Sequence, residues 1–250
     1  MRKIVYMLFA VVLVSCNGEN APDCFQNAGD IIERDFEIEA FTKVTVFSRV
    51  ELIITDGPLP SVTVQTGEYL LNDIEVRVID GHLELYNNNG CNFTRDYGIT
   101  KVFVTSPNLT EIRNASGLTV RSEGVLNYDS LRLVSEDFNQ EGEVNTNGNF
   151  DLEVDCDVLR VEVNNLSTTF INGEVNSLKV KYYSGDARFE GRHLIAQDVD
   201  IFQRSSNDMI INAQQSLTGE IRSTGNVIVV NTPPIVEVEQ FYTGQIIFEN

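Results

Sequence analysis

Short stretches in which apolar and polar residues alternate run through most of the chain. Two examples are residues 74–78 and 83–85, where every second side chain is aliphatic. Because successive side chains of a β-strand point to opposite faces, this alternation predicts strands that are buried on one face. After residue 30 no segment keeps a helical period over several turns. The pattern therefore predicts an all-β protein.

A longer repeat is visible in the second half of the chain. From residue 109 onward, taking every second strand-like stretch gives a spacing of about 20 residues, as at Val161, Val180 and Val199. Such a repeat is typical of a β-solenoid, in which each coil buries its apolar face against neighbouring coils. A β-sandwich of antiparallel strands is the alternative. The many strand-like stretches with few hairpin turns favour the solenoid.

The two ends of the predicted solenoid differ. Asp80 and Gly81 separate two strand-like stretches and predict a two-residue type I′ turn, so we expect some antiparallel hairpins in the N-terminal part. No helix or charged segment covers the C-terminal end, which runs to residues 246–248. Since an uncovered edge exposes unpaired backbone groups, self-association of the chain is a hypothesis that the sequence leaves open.

The N-terminus predicts export and lipidation. Arg2 and Lys3 precede an apolar run over residues 4–14, which is shorter than the roughly 20 residues of a membrane-spanning helix and is typical of a signal peptide. Ser15 and Cys16 complete a pattern that resembles the bacterial lipobox, which implies cleavage before Cys16 and its acylation, for example with palmitate. The expected location is the outer membrane, on its cell-surface or periplasmic face. The expected organisation is a lipoprotein signal peptide over 1–15, a lipid anchor and tether over 16–30, and one β-solenoid domain over 31–250.

The order of strands and turns after this leader resembles the putative auto-transporter adhesin, head GIN domain family, common among lipoproteins of Bacteroidetes. The resemblance covers about residues 36–248. It implies a fold similar to a right-handed parallel β-helix and a role in adhesion, with no catalytic residues attached. The glycine-rich coil turns usual in the family are sparser here. The motifs that carry it lie at residues 41–46, 50–54, 62–64, 68–74, 80–85, 87–92, 102–112 and 115–117.

The net negative charge of the chain limits the kinds of partner that it can bind. The 37 acidic and 18 basic side chains give a formal net charge of -19. Because nucleic-acid binding depends on neutralising phosphates with basic side chains, we predict that the protein binds no nucleic acid.

The cysteines agree with an exported protein. Cys156 alternates with aliphatic residues in the stretch 151–158, which predicts a buried, inert thiol in the core. By elimination, Cys24 and Cys91 are the predicted disulfide pair, since an oxidising compartment permits one bridge among the three remaining cysteines. Two free thiols, or a metal site poor in ligands, are the alternatives.

Motifs of catalysis are missing. The sequence has no Gly-x-Ser-x-Gly elbow, no His-Glu-x-x-His, no Walker loop and no dinucleotide-binding glycine motif, so we predict neither catalytic residues nor a cofactor. His82 and His193 are expected in two separate turns. One strand carries a row of carboxylates on one face, which predicts a solvated acidic surface; a weak Ca²⁺ site is the alternative. We call this row the acidic ladder: Asp151, Glu153, Asp155 and Asp157.

Two further groups bear on a ligand. Tyr182 and Tyr183, with Phe189 nearby, predict either an aromatic platform for sugar rings or, as we favour, one packed and one exposed ring. Arg160 and Lys179 alternate with core positions and are the basic residues closest to the acidic ladder in the pattern.

The leading functional hypothesis is a lipid-anchored cell-envelope module that binds a protein or glycan ligand and has no enzymatic activity. The competing hypothesis is a polysaccharide-acting enzyme assisted by Ca²⁺ on a β-helix scaffold. Such an enzyme needs a base near a carboxylate cluster to abstract a proton, a role for which Arg160 and Lys179 are the candidates. A purely structural role in the envelope is the third hypothesis.

Overall fold

The computed structural model of the protein describes residues 22–93, 95–138 and 144–249. The predicted signal peptide and Cys16 lie outside these residues. Besides the 3-10 turn Leu71–Asp73, the described residues contain no helix, and hence no helix long and apolar enough to span a membrane. They form the strands β1 Ile31–Phe36, β2 Lys43–Phe47, β3 Glu51–Asp56, β4 Ser61–Gly67, β5 Ile74–Ile79, β6 His82–Asn87, β7 Lys101–Ser106, β8 Glu111–Ala115, β9 Val120–Leu126, β10 Ser130–Ser135, β11 Phe150–Val163, β12 Thr168–Tyr182, β13 Arg188–Gln203, β14 Met209–Ile221, β15 Val227–Val229, β16 Ile235–Gln240 and β17 Ile246–Phe248.

Parallel pairing stacks the strands in two rows, which we call the first side and the second side. The first side contains β7, β3, β9, β15, β17 and the N-terminal halves of β11 to β14. The second side contains β6, β2, β8, β10, β16 and the C-terminal halves of β11 to β14. Each long strand therefore contributes to both sides of the stack.

A corner in each long strand separates the two sides, and β11 shows it clearly. Leu152, Val154 and Cys156 point inward, as strict alternation requires. The phase then shifts, so that Leu159 and Val161 are the next fully buried residues. Because the inward positions change phase, the strand turns between these two groups and faces solvent in two directions.

The stacked coils repeat with the spacing that the sequence predicts. Leu159 pairs with Leu178, Leu178 with Val199 and Val199 with Leu217, which builds one continuous inward row of aliphatic side chains. Side-chain hydrogen bonds between neighbouring coils join residues that are 18 to 20 positions apart. Each coil buries its apolar row against the next, and the sheet is solenoid-like.

The N-terminal end mixes antiparallel strands with the parallel stack. β4 pairs antiparallel with both β1 and β7, and β5 pairs antiparallel with β6. Asp80 and Gly81, which connect β5 to β6, have φ angles of 51° and 74°. Positive φ at both positions is what a type I′ turn requires, so the predicted hairpin is confirmed.

The prediction of an all-β protein is confirmed, and its single hydrophobic core runs through the whole stack. Parallel pairing within one continuous sheet rules out the β-sandwich alternative of two face-packed antiparallel sheets. Cys156 is buried in this core, as predicted. At the C-terminal end β16 and β17 each pair with one strand only among the described residues and leave apolar side chains such as Ile235 and Phe248 exposed. Self-association through this edge stays a prediction.

Candidate functional site

A cleft with a volume of about 390 Å³ opens beside the N-terminal coils. It lies where the long connection between β6 and β7 meets the turns that follow β2 and β8. We call it the disulfide cleft, because one of its walls carries a disulfide bond. Its polar lining is supplied chiefly by Arg49, Asn87, Asn89, Cys91, Asn92, Arg95, Asp96, Tyr97, Thr100, Ser116, Asn145 and Asn147.

The disulfide bond joins Cys24 to Cys91, the pair favoured by the sequence. Beside it the backbone N–H of Phe93 donates to the carbonyl of Cys24 at 2.9 Å, and the ring of Phe25 contacts that of Phe93 with centroids 6.0 Å apart. These contacts hold the described part of the predicted tether against the domain. The wall of the cleft is therefore fixed at its base by a covalent bond.

Arg95 organises this wall through hydrogen bonds from its guanidinium group. Nη1 donates to the carbonyls of Asp23 and Gln26, each at 2.8 Å, and Nη2 donates to the carbonyl of Cys91 at 2.8 Å and to Oδ1 of Asn89. Burial is the main influence on the pKa of Arg95 and lowers it from its ordinary value. The guanidinium nevertheless keeps its charge, because arginine is not deprotonated in proteins.

Arg49 brings a second guanidinium group to the cleft from the turn between β2 and β3. Its φ angle is 66°, a left-handed conformation that is uncommon for a residue with a side chain, and its N–H donates to the carbonyl of Ser116 at 3.1 Å. The guanidinium makes only long contacts, with the carbonyls of Gly90 at 3.4 Å and Asn87 at 3.5 Å. Strained backbone of this kind clusters at functional sites.

No carboxylate within the described chain lies at salt-bridge distance from Arg49 or Arg95. This is unusual in a protein with twice as many acidic as basic side chains, 37 against 18. Coulomb attraction to the more distant Asp23 and Asp73 acts on Arg95 but does not neutralise it by contact. The cleft therefore offers positive charge to an incoming ligand.

The asparagines of the cleft combine structural and exposed roles. Asn89 is buried and donates to Oε1 of Gln26 and Oδ2 of Asp73, each at 3.1 Å, which fixes the floor. On the opposite wall Asn145 donates to the hydroxyl of Ser48 at 2.9 Å. Tyr97, at the rim, is 82% exposed. Amide groups, guanidinium groups and one exposed aromatic ring can hydrogen-bond and stack on a polar ligand.

The lining of the cleft is rich in hydrogen-bonding side chains. Asp96 is the one carboxylate in the described lining, which includes neither a histidine nor a free thiol. The hydroxyl of Thr100 lies 2.8 Å from that of Thr66, and the hydroxyl of Ser116 donates to the carbonyl of Leu118 at 3.4 Å, so both take part in structural hydrogen bonds. Sequence reasoning used the asparagine run 87–92 only as a family motif. The unpaired arginines were missed, because only the fold brings Arg49 and Arg95 to one cleft.

The acidic ladder and the two histidines singled out from the sequence do not come together in one site. All four residues of the acidic ladder are exposed; Asp151, Glu153 and Asp155 lie on the first side, and Asp157 lies at the corner of β11. Arg121 binds the first of them at 2.7 Å, and in the described chain no three acidic, histidine or cysteine side chains converge as they would around a metal. His82 is not in a turn as expected: it begins β6, and its Nε2 lies 2.7 Å from the hydroxyl of Thr45. His193 is likewise wrongly predicted, because it lies inside β13.

The two tyrosines divide as the sequence analysis favours. Tyr182 is buried and contacts the buried ring of Phe189, with centroids 6.4 Å apart. Tyr183 is half-buried and contacts Phe138 and Phe202 instead, at centroid distances of 5.0 and 5.7 Å. An aromatic group thus exists on the second side, but with partners that the sequence pattern did not predict.

Comparison with known proteins places this geometry in a fold family. No curated protein sequence matches the chain. A "putative adhesin" from Bacteroides fragilis NCTC 9343 has a similar crystal structure, with a TM-score of 0.78 and 20% identity over 89% of this chain and 99% of the other. A "putative lipid binding protein" from Parabacteroides distasonis ATCC 8503 follows, with a TM-score of 0.65 and 16% identity over 89% and 98%. A "putative adhesin" from Parabacteroides merdae ATCC 43184 has a TM-score of 0.59 and 14% identity over 94% and 98%.

At these identities the structures show a shared fold. The sequence itself gives the family, since the model described as "Putative auto-transporter adhesin, head GIN domain" matches residues 40–233. The family and the structural relatives bear names of adhesins and of a lipid-binding protein, not of enzymes. The match extends from the turn before β2 to the connection before β16 and includes every coil that lines the disulfide cleft. The chain therefore belongs to the auto-transporter adhesin, head GIN domain family.

Proposed function

We propose that the chain is a non-enzymatic, lipid-anchored binding module of the cell envelope, and that the disulfide cleft holds its ligand. The observation that carries the proposal is the pair of arginines in the cleft, Arg49 and Arg95, neither of which has a carboxylate partner among the described residues. The name of the family supports adhesion as the purpose of the binding.

The anchor is part of the same proposal. A signal peptide over residues 1–15 and acylation of Cys16 would attach the module to the outer membrane, followed by a tether and the domain from residue 31 onward. The fold is compatible with a right-handed parallel β-helix, whose stacked coils would extend the module. Because Cys24 follows Cys16 by eight positions in the sequence and is bonded to Cys91 in the wall of the cleft, an acyl anchor at Cys16 would keep the disulfide cleft within about 30 Å of the bilayer.

The polar lining selects the class of ligand. Its guanidinium and amide groups match carboxylate and hydroxyl oxygens, and the apolar part of the cleft, which includes Leu70, Ile99 and Leu118, can pack against the carbon skeleton of the same ligand. Tyr97 adds an exposed aromatic ring at the rim, against which a sugar ring can pack. We therefore infer that the ligand is a sugar that carries a carboxylate, as at the end of an acidic glycan.

The enzyme hypothesis has less support in the structure. A lyase needs a base beside its carboxylates, but three of the four residues of the acidic ladder lie on the first side and Arg160 and Lys179 lie on the second. The corner in β11 separates the two groups. A binding function needs no such proximity.

The experiment is a calorimetric titration of the purified full-length protein with monomeric galacturonate, N-acetylneuraminate and, as a neutral reference, galactose. We expect the acidic sugars to bind and Arg49→Gln to weaken this binding about tenfold, since a charge-assisted hydrogen bond is lost. Arg34→Gln is the matched control, because Arg34 is an exposed arginine on β1. Equal heats for galactose and the acids, no heat for any sugar, or an unaffected Arg49→Gln variant would refute the proposal.

A further inference from the structure

A row of basic side chains crosses the second side of the solenoid. Arg132 on β10 pairs directly with Arg160 on β11, which pairs in turn with Lys179 on β12. Neighbouring strands lie only about 4.8 Å apart, and like charges directly opposite each other destabilise a sheet. Three such cations in consecutive strands therefore oppose folding, unless another role retains them.

Ion pairs neutralise only one end of this row. Arg132 is held between Glu111, at 2.7 Å, and Glu162. In contrast, the described carboxylates leave without a salt bridge four basic side chains of β11, β12 and the turn after β13: Arg160, Lys179, Lys181 and Arg204. Asp200 is the cross-strand neighbour of Lys179, and Glu162 is that of Lys181. Among the described residues neither carboxylate forms a salt bridge with the lysine opposite it, and Glu162 binds Arg132 instead. This group of four is the cationic row.

Aromatic rings border the cationic row. Phe202 on β13 pairs with Lys181 on β12, and its ring contacts that of Tyr183 at a centroid distance of 5.7 Å. Phe138, which is 58% exposed, continues the group at 5.0 Å from Tyr183. The rings thus run in the same direction as the cations, across the strands and along the stack of coils.

We propose that the second side of the solenoid binds an acidic polysaccharide chain across the cationic row. Unpaired basic side chains match its carboxylates or sulfates, and aromatic rings provide apolar faces for its sugar rings. Both groups extend along the stack of coils, which suits a ligand that is itself an extended chain. The site is separate from the disulfide cleft, so this proposal can be refuted without refuting the function proposed above, and the reverse is also true.

A polysaccharide fits this surface better than other polyanions. The net charge of -19 opposes every polyanion, nucleic acid and acidic polysaccharide alike, so binding requires the local positive field of the cationic row together with ring faces that pack on the aromatic side chains. A folded protein partner would bury a large contiguous patch. The cationic row is instead narrow and follows the stack of coils.

The test is a calorimetric titration of the full-length protein with size-fractionated polygalacturonate and heparin, and with neutral dextran as the reference. We expect both acidic polymers to bind at low salt, with log K falling linearly with log salt concentration. The double variant Arg160→Gln, Lys179→Gln should bind about tenfold more weakly, which corresponds to about 1.4 kcal/mol, with a smaller salt slope. Arg34→Gln, on β1, should bind like the wild type.

Two further variants separate charge from stacking. Asp200→Asn removes the negative charge beside Lys179 and should strengthen binding, about threefold if one screened charge contact is gained. Tyr183→Ala should weaken binding without changing the salt slope, because it removes an aromatic face and no charge. Circular dichroism establishes that each variant is folded, and the exposed charge substitutions keep the test valid if Tyr183→Ala fails to fold.

Several results would overturn the proposal. The proposal would be refuted if neither acidic polymer binds, if dextran binds as well as the acidic polymers do, or if the double variant binds like the wild type. Equal affinity for a single-stranded oligonucleotide of the same charge would also overturn it, since the surface would then not distinguish sugars. Binding of monomeric acidic sugars tests the disulfide cleft only and has no bearing on the cationic row.

Discussion

The disulfide bond between Cys24 and Cys91 makes a quantitative prediction about stability. It closes a loop with a sequence separation of 67 residues, which includes strands β1 to β6. In the chain-entropy model, opening a loop of this length costs about 4 kcal/mol, because the unfolded chain regains the freedom that the bond removes. For a domain of this size, Cys91→Ser should therefore lower the melting temperature by about 8–16 °C.

Urea unfolding followed by circular dichroism measures this effect, with and without a reductant. The wild type should lose the same stability on reduction, whereas Cys91→Ser should not respond to the reductant. Cys156→Ala is the matched control, because Cys156 is buried in the core, where burial raises its pKa to about 11 and keeps the thiol protonated. It should respond to the reductant like the wild type. If reduction leaves the unfolding midpoint of the wild type unchanged, the argument from loop entropy is refuted.

Two other predictions concern the stack and the anchor. Gly173 has a φ angle of 114°, and a Cβ atom there would lie 1.9 Å from the carbonyl oxygen of Val154 on the preceding coil. We therefore expect Gly173→Ala to lower the free energy of unfolding, measured with urea, by about 3–5 kcal/mol. Gly124→Ala, where φ is 82° and the space is open, should cost about 1 kcal/mol, and equal costs would contradict the clash. Cys16→Ser should move the protein from the membrane fraction to the soluble fraction, and a variant that stays with the membrane would exclude the lipid anchor. Protease treatment of intact cells should degrade the wild-type protein if it is on the cell surface.

Much of the fold was accessible from local pattern. The alternation of Leu152, Val154, Cys156 and Val158 predicted a common inward direction, which is confirmed for the first three and wrong for Val158 at the corner. The spacing of Val161 and Val180 predicted the coil length, but the next residue of that row is Ile201 and not Val199. The corner at residues 157–158 was not accessible. Alternation simply changes phase there, and in a single sequence this shift cannot be told from a bulge or the end of a strand.

The candidate sites were predicted less well than the fold, because they depend on contacts between distant residues. Arg49 and Arg95 share a cleft only after the disulfide bond and the turns following β2 and β8 are in place. Arg160 and Lys179 were recognised as basic residues near the acidic ladder, but as possible catalytic bases. The corner moves them to the other side, where their neighbours are each other.

The charge patterns on the two sides of the solenoid differ in what they imply about function. A random arrangement of the charges would produce the acidic neighbours of the first side but not the consecutive basic neighbours of the second side. With 37 acidic side chains, acidic neighbours such as Asp155 and Glu174, which pair across β11 and β12, are expected on any exposed surface. With only 18 basic side chains, basic residues are not expected to be neighbours on consecutive strands. Arg132, Arg160 and Lys179 incur the repulsion of like charges about 4.8 Å apart although acidic residues would have been the more frequent choice. A local conflict of this kind is typical of a functional surface, since natural sequences otherwise favour mutually consistent contacts. For this reason the second side, rather than the acidic ladder, is where we expect an extended ligand to lie.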